Sequence, residues 1–225
     1  MAKESNAAKA ARTARIVAAL RAAYPEARCE LHFTNPLELL VATILSARCT
    51  DKQVNAVTAQ LFRKYRRAAD YANADPAELQ AELKAIGLFR NKTKSIRACG
   101  RKLLERHGGE VPQTLEELVQ LDGVGRKTAN VVLGTAFHLS RGIVVDTHVR
   151  RLAGRLRLSA QTDPEKIEAD LMQQVDPSQW IRFSHWLIWH GRRRCYARQP
   201  DCEHCEIQKL CPSATIPEAH PASRV

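Results

Sequence analysis

Residues 111–137 read VPQTLEELVQLDGVGRKTANVVLGTAF, and the reading of this stretch decides the fold. Two short apolar segments with helical spacing flank the turn Asp122-Gly123-Val124-Gly125. Glycines at 123 and 125 can adopt positive φ and let the backbone pass close to a ligand. The amides of the turn, together with the N-terminus of the next helix, would form a cradle for an anion. A lone Gly-x-Gly occurs in many helix connections. Set between two apolar helices and followed at once by Arg126-Lys127, this one reads as a helix–hairpin–helix grip on a phosphate.

Outward from the hairpin the chain keeps helical periodicity, with no strand-length alternation and no low-complexity linker. Asn35-Pro36, Asp75-Pro76 and Asp163-Pro164 each put a capping side chain before a proline at the first helical position. Thr50-Asp51 opens a further helix, and Thr114 with Glu117 has capping-box spacing. Stops are expected at Gly87, Gly108-Gly109, Gly142 and Gly191. The result is an all-α chain of about ten short helices joined by tight turns.

Lys and Arg total 35 against 24 acidic residues, a formal net charge of +11 over 225 residues. That balance favours a polyanionic partner through counterion release and long-range steering. No run approaches the roughly 18 apolar residues that a membrane span needs. The first residues, MAKESNAAKAARTARIVAAL, lack a continuous apolar core and read as an amphipathic helix and not a signal peptide. A cytosolic location follows, and in that reducing compartment the seven cysteines are not expected to form disulfides.

The cysteines are unevenly placed. Cys29, Cys49 and Cys99 are scattered and read as small buried hydrophobes. Cys195, Cys202, Cys205 and Cys211 fall in one stretch, with six, two and five residues between them. Four thiolates suit either a [4Fe–4S] cluster or a structural zinc ion. Zinc sites commonly pair two Cys-x-x-Cys knuckles, and only Cys202 and Cys205 have that spacing, so the pattern leans towards iron–sulfur. Ile207, Leu210 and Pro212 suit a folded loop around a buried cluster.

Taken together, LDGVGRKTANVVL, VVDTHVRRLAGRL, the four cysteines, LELLVATILSARCTDKQVNAVT and IGLFRNKTKSI resemble the endonuclease III family across nearly the whole chain. The resemblance implies an all-α, two-lobed helix–hairpin–helix DNA glycosylase fold with the DNA cleft between the lobes. A six-helix lobe spans residues 29–140, and residues 1–28 with 141–225 form the lobe that holds a [4Fe–4S] cluster on Cys195, Cys202, Cys205 and Cys211. It also implies a bifunctional glycosylase and abasic-site lyase, acting as a monomer on duplex DNA that contains oxidised pyrimidines or abasic sites. The sister adenine glycosylase family, which lacks a lysine at the position of Lys127, and a non-enzymatic, metal-stapled DNA-binding module are the alternatives.

By this resemblance Lys127 is the amine that attacks C1′ of the sugar and Asp146 is its partner carboxylate. An unperturbed lysine is almost wholly protonated at pH 7, but a helix N-terminus and the neighbouring Arg126 both disfavour an ammonium. Asp146 followed by Thr147-His148 is also an ordinary helix N-cap, and His148 reads as a structural residue of the first turn. Gly123, Val124 and Gly125 would hold the DNA backbone. Arg198, in the loop YARQPD, would reach a phosphate beside the arginine triplet 192–194. Extruding the target nucleotide leaves a gap, which by the family pattern Leu88 and the residue at 48 fill. Two departures stand out. Arg48 replaces the usual glutamine, which is expected to alter opposite-base preference or turnover without changing the reaction, and Asp122 replaces a common proline, which is expected to weaken the phosphate grip unless its side chain turns away.

Overall fold

The protein is described by a computed structural model covering residues 4–215. In chain order its α-helices are α1 (Asn6–Ala23), α2 (Pro36–Ser46), α3 (Asp51–Lys64), α4 (Ala68–Asn73), α5 (Pro76–Glu82), α6 (Phe89–His107), α7 (Leu115–Leu118), α8 (Arg126–Ala136), α9 (Thr147–Arg155), α10 (Pro164–Met172) and α11 (Trp180–Arg193). Two short 3-10 turns complete the list, and the described residues contain no strand. None of the described helices is long and apolar enough to cross a membrane.

The helix starts follow the capping chemistry of the sequence. Asn35 accepts the amide of Glu38 at 2.9 Å, and Asp75 accepts that of Glu78 at 2.9 Å. Asp163 accepts the amides of Glu165 and Lys166 at 3.1 and 3.0 Å. Each such cap is worth about 1 kcal/mol. At α7 the hydroxyl of Thr114 accepts the amide of Glu117 at 3.3 Å and donates to the Glu117 carboxylate at 2.6 Å, a tighter closure than the reciprocal capping box.

Two of the expected stops are not stops. Gly191 lies inside α11, where a Cβ would meet His148 Cβ and Nδ1 at 2.9 Å. The glycine is needed for close packing of α11 on α9 and does not end the helix. Gly142 lies in the irregular stretch between α8 and α9 and ends no helix. Gly108, by contrast, closes α6 in the left-handed region with φ 60°.

The chain divides into two compact units, Cys29–Arg141, and Met1–Arg28 together with Gly142–Val225. The first holds α2 to α8, seven helical segments where six were expected, since the chain between α3 and α6 is broken at Ala74-Asp75 into α4 and α5. Its core gathers Leu39, Leu40, Leu45, Tyr71, Leu79, Leu83, Ile96, Leu103 and Leu133, and α6 packs on α4 and α5 while α2 packs on α3 and α8. The second unit closes around Ile16, Leu20, Leu152, Leu156, Leu171, Phe183, Leu187 and Ile207. Burial of each leucine contributes about 1.5–3 kcal/mol, and Ile207 anchors the cysteine-rich segment to this core.

Candidate functional site

In the Cys29–Arg141 unit the turn between α7 and α8 is built as an open cradle. Gly123 has φ 80°, and a Cβ there would meet Ser95 Cβ of α6 at 2.9 Å. Gly125 differs from the expectation: its φ is −94° and its ψ 175°, so it needs no left-handed freedom. A Cβ on Gly125 would meet nothing within 4 Å, so what its missing side chain keeps clear is the outer face of the turn. The Val124 side chain is buried, so this residue can offer a ligand its backbone and not its side chain. Gly125 is the N-cap of α8 and makes no side-chain hydrogen bond at that end, as a helix start that binds an external anion requires. Asp122, the departure expected to weaken the grip, is neutralised by Lys102 at 2.9 Å.

These two glycines separate stability from affinity. Gly123→Ala should destabilise the protein by about 1–3 kcal/mol, through the left-handed penalty and the clash with Ser95. Gly125→Ala should change stability by less than about 0.5 kcal/mol, because lower chain entropy offsets a poorer cap, yet it should weaken binding to abasic duplex DNA. Thermal unfolding and a DNA titration on both variants check this.

Lys127 is the second residue of α8, exposed, two residues past the glycine turn. Asp146, in the other unit, is the N-cap of α9, where its Oδ1 accepts the amides of His148 and Val149 at 2.8 Å each. His148 accepts from Arg151 at 3.1 Å through Nδ1, and burial lowers its pKa, so its neutral form serves the packing of α9 on α11.

Arg48 and Leu88 are exposed, and both hold positive φ, 58° and 59°. For side chains other than glycine this conformation is strained and survives only where the surroundings impose it. Both residues sit at helix boundaries, after α2 and before α6, with their side chains on the surface. Cys49, expected as a plain hydrophobe, accepts the Gly87 amide at 3.2 Å.

The four cysteines of the C-terminal stretch line one pocket in the unit that contains α9 and α11, with Leu152, Leu156 and Ile207 as its apolar wall. Donors face the sulfurs. Arg155 Nη1 donates to Cys195 Sγ at 3.2 Å, and His190 Nε2 lies 3.5 Å from Cys205 Sγ. Burial pushes His190 down to about 4 and the Tyr24 phenol up to about 12. The Tyr24 hydroxyl lies 3.0 Å from His190 Nδ1, which leaves Nε2 as the ring nitrogen that faces the Cys205 sulfur. Burial also raises the Cys205 thiol to about 11, so loading a metal must release protons. Four sulfurs in an apolar pocket with N–H donors turned to two of them fit a thiolate-bound metal site. His190, Cys205 and Glu206 also come together as three potential metal ligands, but Glu206 is held by Arg194 at 3.4 Å.

Arg155 reaches past the sulfur to the carbonyls of Tyr196 and Ala197, at 2.6 and 2.9 Å, and so shapes the loop that carries exposed Arg198. Of the arginine triplet, Arg194 pairs with Asp201 at 2.7 Å and serves the loop itself. Arg155 and His190 carry no motif signal in the sequence; their part emerges only from the packing of α9 and α11 on the loop.

Residues 41–177 match the family model described as HhH-GPD superfamily base excision DNA repair protein. The chain is 49% identical to endonuclease III of Synechocystis sp. over 92% of its own length and 95% of the relative's. It is 41% identical to endonuclease III of Escherichia coli K12, over 87% and 92%. The chain belongs to the endonuclease III family. Its fold matches a solved non-covalent endonuclease III–DNA complex with TM-score 0.87 and 40% identity, covering 91% of this chain and 96% of that one. A trapped endonuclease III–DNA covalent intermediate matches with the same TM-score of 0.87. A thermostable thymine-DNA glycosylase, TM-score 0.83 at 23% identity, shares the fold. As a member of this family the protein is a base excision repair enzyme, a DNA glycosylase and abasic-site lyase that works on DNA.

Proposed function

We propose that the enzyme removes oxidised pyrimidines from duplex DNA and cuts the resulting abasic strand through a Schiff base on Lys127. The observation that carries this reading is an exposed lysine in the first turn of α8, directly after the open glycine turn. The neutral amine attacks C1′, forming the N–C1′ bond as the bond to the base breaks, and the base leaves with a proton. Opening of the sugar ring then gives an imine that acidifies the C2′ proton, and loss of that proton expels the 3′ phosphate by β-elimination.

Asp146 supplies a negative charge that stabilises the cationic sugar as the base departs. Gly123, Val124 and Gly125 hold a backbone phosphate through their amides. Leu88 enters the base stack as an apolar wedge, and Arg48, long and permanently charged, contacts the opposite strand. Cys195, Cys202, Cys205 and Cys211 hold a [4Fe–4S] cluster. When bound, the cluster supplies a rigid crosslink that fixes the loop bearing Arg198 against the DNA backbone.

A panel of lesions in duplex DNA, scored separately for base release and strand cleavage, tests the function. Oxidised pyrimidines should be released and the strand cut. Base release without cleavage would favour the monofunctional adenine glycosylase reading, and neither activity would leave a DNA-binding module. For the cluster, the purified protein should be brown with a broad visible band, and Cys202→Ser should lose most of that band. A colourless protein containing zinc sinks the iron–sulfur assignment.

A further inference from the structure

We propose that Lys92 is a positioning residue that holds the Arg48 and Leu88 turns together in the conformation from which they enter the DNA; this rests on the reading of those two side chains as the wedge. Lys92 lies one turn into α6 and is 5% exposed. Its three ammonium protons meet three acceptors, the carbonyls of Leu45 and Ala47 at 2.8 and 2.6 Å and Cys49 Sγ at 3.5 Å. Leu45 is in the last turn of α2 and Ala47 is its C-cap, so the cation sits on the negative end of that helix.

The contacts bracket Arg48 on both sides. The carbonyl immediately before it and the side chain immediately after it are both held by one nitrogen. Cys49 passes the connection on, since its sulfur also accepts the amide of Gly87, the residue before Leu88. The backbone amide of Lys92 closes the circuit by donating to the Leu88 carbonyl at 3.1 Å. Lys92 thus touches both turns, one through its side chain and the other through its own backbone.

Two features separate this from ordinary packing. A buried ammonium is costly, and an apolar side chain of the same length would fill the space at less expense. The two residues it brackets are exposed and strained, both in the left-handed region, and strain of this kind persists only where neighbouring structure over-determines it. Lys92 acts before DNA arrives: it keeps the wedge conformer populated, and binding does not have to select it from a mixture.

The test follows base extrusion by stopped-flow fluorescence of 2-aminopurine placed opposite a tetrahydrofuran abasic analogue in duplex DNA, using the full-length enzyme. Leu88→Ala should slow the rise in signal. Lys92→Met should slow it about tenfold, and Cys49→Ala, a milder change that removes one acceptor and keeps the buried charge, about threefold, as the competent conformer becomes less populated. In an Arg48→Ala, Leu88→Ala double background the same two changes should each have less than about a twofold effect, since they act through the two turns. If Leu88→Ala leaves the trace untouched, the wedge reading fails and this inference with it. If Leu88→Ala slows extrusion while Lys92→Met and Cys49→Ala keep their full effects in the double background, the wedge stands and the positioning role is overturned.

Discussion

Replacing Lys127 with alanine abolishes borohydride trapping on abasic DNA while leaving the protein at least as stable. The stability half of this expectation comes from where the residue sits. Lys127 is exposed at the second position of α8. Alanine is the better helix former there, and removing a cation from the positive end of a helix is favourable by about 0.3–1 kcal/mol. The unfolding midpoint should therefore hold or rise slightly. The chemical half follows from the proposed role of Lys127 as the nucleophile, so trapped adduct and strand cleavage should fall by about two orders of magnitude or more. Lys127→Arg should fare no better, since a guanidinium keeps its proton and cannot attack. An adduct that persists in Lys127→Ala would mean that another amine is the nucleophile. Lys92 is poorly suited to the task, being buried with its ammonium committed to three acceptors.

At Asp146 the observed helix cap and the proposed catalytic charge share one side chain, and two substitutions pull them apart. The carboxylate caps α9 through bonds of 2.8 Å to two amides. Asparagine caps a helix about as well as aspartate, so Asp146→Asn should unfold within about 0.5 kcal/mol of the parent. Asp146→Ala should lose about 1 kcal/mol, the usual worth of a cap. Both should lower base release by a factor of about 10²–10³, because both delete the charge that stabilises the cationic sugar. Should Asp146→Asn release bases at a rate within a few fold of the parent, the residue is an N-cap and nothing more. Thermal unfolding beside single-turnover base release gives both numbers from one preparation.

Much of this was legible along the chain, and the part that was shares one physical trait. The caps at Asn35, Thr50, Asp75 and Asp163 act on amides two or three residues away. The glycine turn at 123–125 and the four-cysteine stretch are equally local. Patterns of this range survive in a linear reading because the partners are neighbours in sequence. Where that reading went astray, a distant partner intervened. Gly191 reads as a stop along the chain, and His148 of α9 is the reason no side chain fits there. Asp122 reads as a weakness of the grip unless its side chain turns away, and Lys102 pairs with it at 2.9 Å. Glycine at 123 and 125 permits positive φ, and of the two only Gly123 adopts it.

The sequence by itself therefore determined the helix starts, the hairpin and the cysteine set, and its family resemblance put forward Lys127 and Asp146 as candidates. Only the tertiary structure decided what surrounds them. It put Arg155 and His190 on the sulfurs, and Asp201 on Arg194. It also brought Lys92 to carbonyls 45 and 47 positions earlier in the chain, behind two strained turns. No local rule marks a lysine for such a place. A buried ammonium is tolerable only where folding delivers acceptors to it, and those acceptors are the end of another helix.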